Sequence, residues 1–300
     1  MFKFHHQPVK TVLSKKRKRD NWFLDEFSIN PYLGCSFNCR FCYVESSHYD
    51  HHIPGHKVAV KQNLLEILDF DLAKAARKNQ YAFITLSTAT DPYLYATNDD
   101  DPIREILKLI LNYKFPVHII TRSNRVIRDI DLLLEIDKIA ILPADLKNMN
   151  GTLVTFSFTT LDEKISKLVE PAAPLIDDRL HALTAITKQG LHAGVALMPI
   201  LPFISDEINV LDNMFKQFQE AGAKWVLPAS LTLNNNLLAG NRPAMYNMYK
   251  CHFPEHFQAF SRFFNNRSVA PFNYHQVLNA NLFKLHEKYQ MPAKINSLKE

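Results

Sequence analysis

The chain has 300 residues, 47% hydrophobic and 22% charged, the make-up of a globular protein with a large core, which excludes a low-complexity or disordered chain. Four cysteines, three of them in one motif, exclude a disulfide framework and point to a reducing cytoplasmic setting. The net charge of +5 is compatible with a polyanionic partner without demanding one, no apolar run is long enough to span a membrane, and the N-terminus lacks the apolar stretch of a signal peptide.

Residues 1–27 carry no clear period and read as a loosely packed N-terminal arm. Within it Lys15, Lys16, Arg17, Lys18 and Arg19 form five consecutive cations that would grip the phosphates of a nucleic acid; a solvated arm is the plainer reading. Phe27 to Asn30 is a strand. Pro31 pushes Asn30 toward extended geometry, and Gly34 allows a sharp fold just before Cys35. Cys35, Cys39 and Cys42 follow in a C-x3-C-x2-C spacing. Thiolates are soft ligands that select iron–sulfur clusters, zinc or copper. A structural zinc or an electron-transfer cluster normally takes four protein ligands. Three cysteines on a 4Fe–4S cluster would leave one iron open; the rival is a zinc site closed by His48. His48, His51, His52 and His56 read as a solvated loop rather than a second metal site, because Pro54-Gly55 interrupts them as a turn.

From Leu64 onward strands and helices alternate. Leu64, Leu68, Leu72 and Ala75 mark one helix face; Tyr81 to Leu86 is a strand. Helical stripes follow at Ile103–Leu111, Ile127–Leu134, Ile176–Gln189 and Ile208–Phe218, with strands at Val117–Ile120, Leu153–Ser157, Val195–Met198 and Trp225–Leu227. Gly190 is a good residue to end the third of these helices. Repeated strand–helix units imply parallel strands with right-handed crossovers. After Asn234 come two or three helices rich in aromatics: Tyr246, Tyr249, Phe253, Phe257, Phe260, Phe263 and Phe264. These read as a core packed against the strand–helix body rather than a base-stacking surface. Cys251 reads as a buried thiol.

The cysteine spacing, with Phe41 before the last cysteine and Tyr43 after it, resembles the radical S-adenosylmethionine (SAM) superfamily. Further stretches are similar to its spore photoproduct lyase-like branch: Asn30-Pro31-Tyr32, Ser87 to Tyr93, Ile119 to Ser123, Phe156 to Asp162, Glu170 to Pro174 with Arg179, and Met198 to Pro202. The resemblance implies an α/β partial (β/α)6 TIM-type barrel over residues 28–233, a basic arm over 1–27 and a helical C-terminal extension over 234–300. It implies a 4Fe–4S cluster on Cys35, Cys39 and Cys42, SAM on the open iron, and a flavodoxin or ferredoxin as reductant. It makes Phe41, Tyr43, Thr90, Arg122, Ser157, Glu170 and Arg179 the cofactor contacts, with Arg122 placed to pair with the SAM carboxylate where related lyases have Lys. Surface exposure for Arg122, and a Glu170–Arg179 salt bridge holding the loop, are the structural alternatives. The lyases carry a hydrogen-donating cysteine where Thr88 stands, so spore photoproduct repair itself is not expected; Tyr93 or Tyr95 are the substitute donors. The competing functional reading is a zinc-stabilised nucleic-acid-binding module.

Overall fold

The computed structural model describes residues 5–44, 58–95, 101–234 and 240–295. Two short strands, β1 (His5–Gln7) and β2 (Leu13–Lys15), precede β3 (Phe27–Ile29), β4 (Tyr32–Leu33) and β5 (Ala59–Lys61). Strands and helices then alternate: α1 (Leu64–Arg77), β6 (Ile84–Leu86), α2 (Ile103–Asn112), β7 (Val117–Thr121), α3 (Ile130–Ile139), β8 (Thr152–Phe158), α4 (Glu163–Val169), α5 (Ile176–Lys188), β9 (His192–Ile200), α6 (Ile208–Glu220) and β10 (Val226–Ser230). Three helices follow, α7 (Asn241–His252), α8 (Pro254–Phe264) and α9 (Phe272–Tyr289).

β3, β6, β7, β8, β9 and β10 lie side by side in chain order, all parallel, and β2 adds antiparallel to the β3 edge. This is the partial six-stranded barrel, with β2 and β10 as its two edges. Strand alternation sorts its faces. Val154, Phe156 and Phe158 of β8 and Val195 and Leu197 of β9 join the helix stripes Leu64/Leu68/Leu72 and Leu211/Phe215/Phe218 in the main core. The intervening Ser157, Ala196 and Met198 line the lumen. Ser157 and Ala196 are small, which leaves room there.

The bottom of the lumen is closed by Leu24, Phe83, Leu153, Trp225, Leu227 and Ile295. Trp225 Nε1 donates to Thr155 Oγ1 at 3.2 Å, and Thr155 Oγ1 lies 2.7 Å from His118 Nε2. His118 Nδ1 lies 2.8 Å from the Phe23 carbonyl, which can only accept, so Nδ1 carries the ring proton. The Trp225 ring is packed on Gly194, where a Cβ would come within 2.4 Å of it.

The N-terminal segment departs from the loose arm expected of it. β1 pairs parallel with β5 and β2 completes the main sheet. The cation run makes local contacts. The Lys15 ammonium sits 5.5 Å over the Phe27 ring, Lys16 pairs with Asp25, and Arg19 pairs with Asp145 and Glu26. Carboxylates neighbour Lys16 and Arg19, and Lys15, Lys16, Arg17 and Lys18 remain exposed to solvent. The His48 to His56 loop lies outside the described residues.

The aromatic helices form a core: Tyr249 stacks on Phe260 at 3.7 Å, and with Met245 and Phe264 they bury Phe41, Val169, Leu201 and Leu231. The extension also reaches under the barrel, where the Val226 N–H donates to Pro292 O at 3.1 Å and Ile295 joins the floor. Cys251 is exposed, contrary to expectation, on the polar face of α7 with its thiol 3.5 Å from Asn247 Oδ1. Among the described residues no helix is long and apolar enough to cross a membrane.

Candidate functional site

The cysteine loop is shaped by its backbone. Gly34 has φ +76° and Asn38 φ +54°, both left-handed, so the chain reverses before Cys35 and again before Cys39. The Cys42 N–H closes a turn onto Cys39 O at 3.1 Å. Two bonds fasten the loop to the far side of the mouth: Arg40 N–H to Val169 O at 2.8 Å and Ala172 N–H to Phe37 O at 3.3 Å. Phe37, 1% exposed, anchors it among Tyr32, Val60 and Leu94. The N–H groups of Phe37 and Asp91 hydrogen-bond the Cys35 sulfur. Burial pushes the Cys35 thiol up to about 12, and pushes Cys39 well above its ordinary value. A bound metal, which takes the thiolate as ligand, would offset that burial.

All three cysteines open onto one cavity of about 630 Å3, which runs from the C-terminal ends of the strands down into the lumen. Among the described residues no three His, Cys, Asp or Glu side chains converge on a single-ion position. Five of the sequence-predicted contacts line this cavity with the cysteines: Phe41, Tyr43, Thr90, Arg122 and Ser157. Arg122 follows β7 directly. Its guanidinium lies 5.1 Å from the centre of the Phe41 ring, donates to Met198 O at 3.0 Å and pairs with Glu170 Oε2 at 2.6 Å. Its side chain remains 14% exposed, so the surface-cation alternative does not hold.

Glu170 and Arg179 are not in the cavity wall. Both side chains are fully buried, and Arg179 Nη2 meets Glu170 Oε1 at 2.5 Å. Arg179 Nη1 also donates to Ser157 O at 3.1 Å, and Ser166 Oγ donates to Glu170 Oε1 at 2.9 Å. Burial opposes ionisation of Glu170, but Arg122 and Arg179 outweigh it and hold the carboxyl below its ordinary value. The pair therefore stands behind Arg122 and Ser157 as a brace, the arrangement a loop-holding salt bridge would have.

Several further side chains have structural parts in this geometry, and of these Asn241 carried no sequence signal. The Asp91 carboxylate, buried, accepts from Arg122 N at 2.7 Å, Thr121 Oγ1 at 2.8 Å and Tyr93 N at 2.9 Å. It ties the Ser87–Asp91 turn to the strand end that carries Arg122. Asn241 Nδ2 donates to Phe41 O and to Thr232 O, both at 2.9 Å, fastening α7 to the cysteine loop. Tyr43 donates its hydroxyl to Thr88 O across the cavity mouth. Tyr93 is fully buried and away from the cavity wall, so it does not serve as a hydrogen donor there; Tyr95 is 52% exposed and packs beside Phe37.

Comparison with known proteins agrees with this fold. A Mycobacterium tuberculosis protein described as uncharacterised is 26% identical over 270 residues, covering 88% of this chain and 75% of that protein. A Methanocaldococcus jannaschii protein with the same description is 27% identical over 183 residues, covering 60% of this chain and 62% of its own. Among solved structures, a spore photoproduct lyase mutant matches with a TM-score of 0.65 at 14% identity, over 94% of this chain and 78% of that one. Another, with bound AdoMet and dinucleoside spore photoproduct, matches with a TM-score of 0.60 at 14% identity, over 92% and 78%. The fold is thus that of spore photoproduct lyase. The family model described as the radical SAM superfamily matches residues 29–214, which include the cysteine loop and every cavity residue predicted above, and the chain belongs to that superfamily, whose members use an iron–sulfur cluster and S-adenosylmethionine.

Proposed function

We propose that Cys35, Cys39 and Cys42 hold a 4Fe–4S cluster whose fourth iron binds SAM, and that Phe41, Tyr43, Thr90, Arg122 and Ser157 hold the SAM molecule against it. The observation that carries this reading is that three thiols, a braced guanidinium and the hydroxyls of Tyr43, Thr90 and Ser157 belong to residues lining one cavity. When bound, the cluster and SAM supply one-electron chemistry: an electron from a flavodoxin or ferredoxin splits SAM to a 5′-deoxyadenosyl radical that takes hydrogen from substrate. The protein's own residues orient and exclude water. Arg122 keeps N–H donors beyond those given to Glu170 and Met198, so it can receive the SAM carboxylate as a charge-assisted pair. Phe41 supports the guanidinium face, and Glu170 with Arg179 fixes its direction. Ser157, held at its carbonyl by Arg179, offers its hydroxyl to ribose or methionine.

A zinc-stabilised nucleic-acid module accounts for neither the barrel nor the cavity. The test is assembly without oxygen. The protein should be brown with four irons per chain and, with dithionite and SAM, release 5′-deoxyadenosine slowly. Cys35→Ala, Cys39→Ala and Cys42→Ala should each abolish that release. A colourless protein holding one zinc per chain would end this reading.

A further inference from the structure

The cavity continues past the cysteine loop to a floor made by a segment outside the matched family region: Lys16, Asp20, Phe23 and Asp25. We propose that this floor is a substrate subsite, in which the Lys16 ammonium, held by Asp25, takes an anionic group of the substrate, a carboxylate or a phosphate. The inference rests on the cavity being the radical site.

The exposure of the charges decides the sign of the ligand. Asp25 is 1% exposed, whereas the Lys16 side chain is 44% exposed. The Asp25 oxygens lie 2.7 and 2.6 Å from Lys16 Nζ, so the carboxylate is spent on holding the ammonium. Asp20 Oδ1 accepts from Trp22 N at 2.8 Å and Phe23 N at 2.7 Å, which turns it to its own backbone. The group a ligand meets is therefore the cation of Lys16.

Position fits a substrate long enough to reach both ends. Lys15 lies opposite Phe27, Phe27 opposite Ile84, and Ile84 opposite Val117. Arg122 is five residues beyond Val117, about 17 Å along the strand direction. Between the two ends the wall includes Ala196, where a complete barrel would be filled by bulky side chains. Stability alone does not explain a half-buried ion pair here, since apolar packing of the same volume is commonly as stable or more so. Recognition of an anion does explain it.

The test is thermal melting of the anaerobically loaded enzyme in sodium phosphate or sodium acetate against sodium chloride at matched ionic strength. Phosphate, acetate or both should raise Tm saturably above chloride, and which of them does so separates the two sources of anion. Lys16→Arg should keep the increment. Lys16→Met should lose it, and so should Lys16→Met/Asp25→Asn, which leaves no unpaired buried carboxylate to weaken the fold. An undiminished increment in the double variant, or none with either anion in the wild type, would overturn the proposal. SAM affinity, measured on the same samples, judges the reading of the upper cavity separately.

Discussion

Replacing Arg179 by Met should reveal how firmly the buried brace supports the site. The variant keeps most of the side-chain length and apolar stem but leaves Glu170 without the partner at 2.5 Å and Ser157 O without its donor at 3.1 Å. Removing one member of a buried ion pair typically costs about 3–5 kcal/mol, because the remaining charge is stranded away from water. Arg122 still neutralises Glu170 from the cavity side, so the lower end, about 3 kcal/mol, is expected. The comparison is Lys108→Ala, which breaks the pair with Glu105 in which both side chains are about half exposed and should cost under about 1 kcal/mol. Urea unfolding of the two variants, prepared alike, gives both values. A double variant with Glu170→Gln should lose less than the sum of its singles, since the two residues act as one unit. If Arg179→Met costs no more than Lys108→Ala, the brace contributes nothing beyond a surface pair and its role behind Arg122 falls with it.

Acid should weaken the fold through His118. The unfolded chain protonates this ring near pH 6.5 but burial holds it neutral in the folded protein down to about 4, so stability is whole above 6.5 and falls as pH drops through that window, by about 3 kcal/mol at 1.36 kcal/mol per unit; His118→Gln should flatten this slope, and an unchanged slope would remove His118 as its source. Gly194→Ala should destabilise by about 1–3 kcal/mol by forcing a methyl into the Trp225 ring, unless denaturation midpoints show no loss. Asn241→Ala should lower the iron retained per chain after gel filtration by loosening Phe41 O next to Cys42, and full retention would show that the α7 tether is dispensable.

What the sequence revealed was periodic or clustered. The stripe Leu64/Leu68/Leu72/Ala75 lies on α1 with all four residues buried, and Gly190 takes φ +85° at the end of α5, because helix period and left-handed backbone leave local signatures. The three cysteines and five cavity contacts were legible as short motifs at strand ends. The missed residues are single polar side chains acting over long sequence distance. Asn241 reaches the Phe41 carbonyl 200 residues earlier, and the Trp225–Thr155–His118–Phe23 chain joins four separated segments. β2 escaped because a three-residue edge strand ending in cations shows neither alternation nor apolarity, and only its pairing with β3 defines it. Glu170 and Arg179 were placed among the cofactor contacts by their motif; their depth behind Arg122 depends on how the loop after α4 folds inward, which no local pattern encodes.

From the same cavity we predict that this protein does not repair spore photoproduct efficiently. The lyases its motifs resemble return a hydrogen atom to the substrate radical from a cysteine at the position of Thr88. Thr88 does line the cavity, and its hydroxyl O–H is much stronger than a thiol S–H, so it does not give up a hydrogen atom readily. Apart from the three proposed cluster ligands, the remaining thiol is Cys251, exposed on α7 and outside the cavity wall. Of the tyrosines considered from sequence, Tyr93 is fully buried. The phenol best placed is Tyr43, which lines the cavity and donates its hydroxyl to the Thr88 carbonyl. Reduced enzyme incubated with SAM and DNA containing spore photoproduct should therefore form 5′-deoxyadenosine without efficient recovery of intact thymines. Installing the thiol, Thr88→Cys, should raise any repair that occurs, and Tyr43→Phe should abolish what the wild type retains. Efficient repair by the wild type that survives both Cys251→Ala and Tyr43→Phe would show that this cavity holds a hydrogen donor other than the ones its geometry offers.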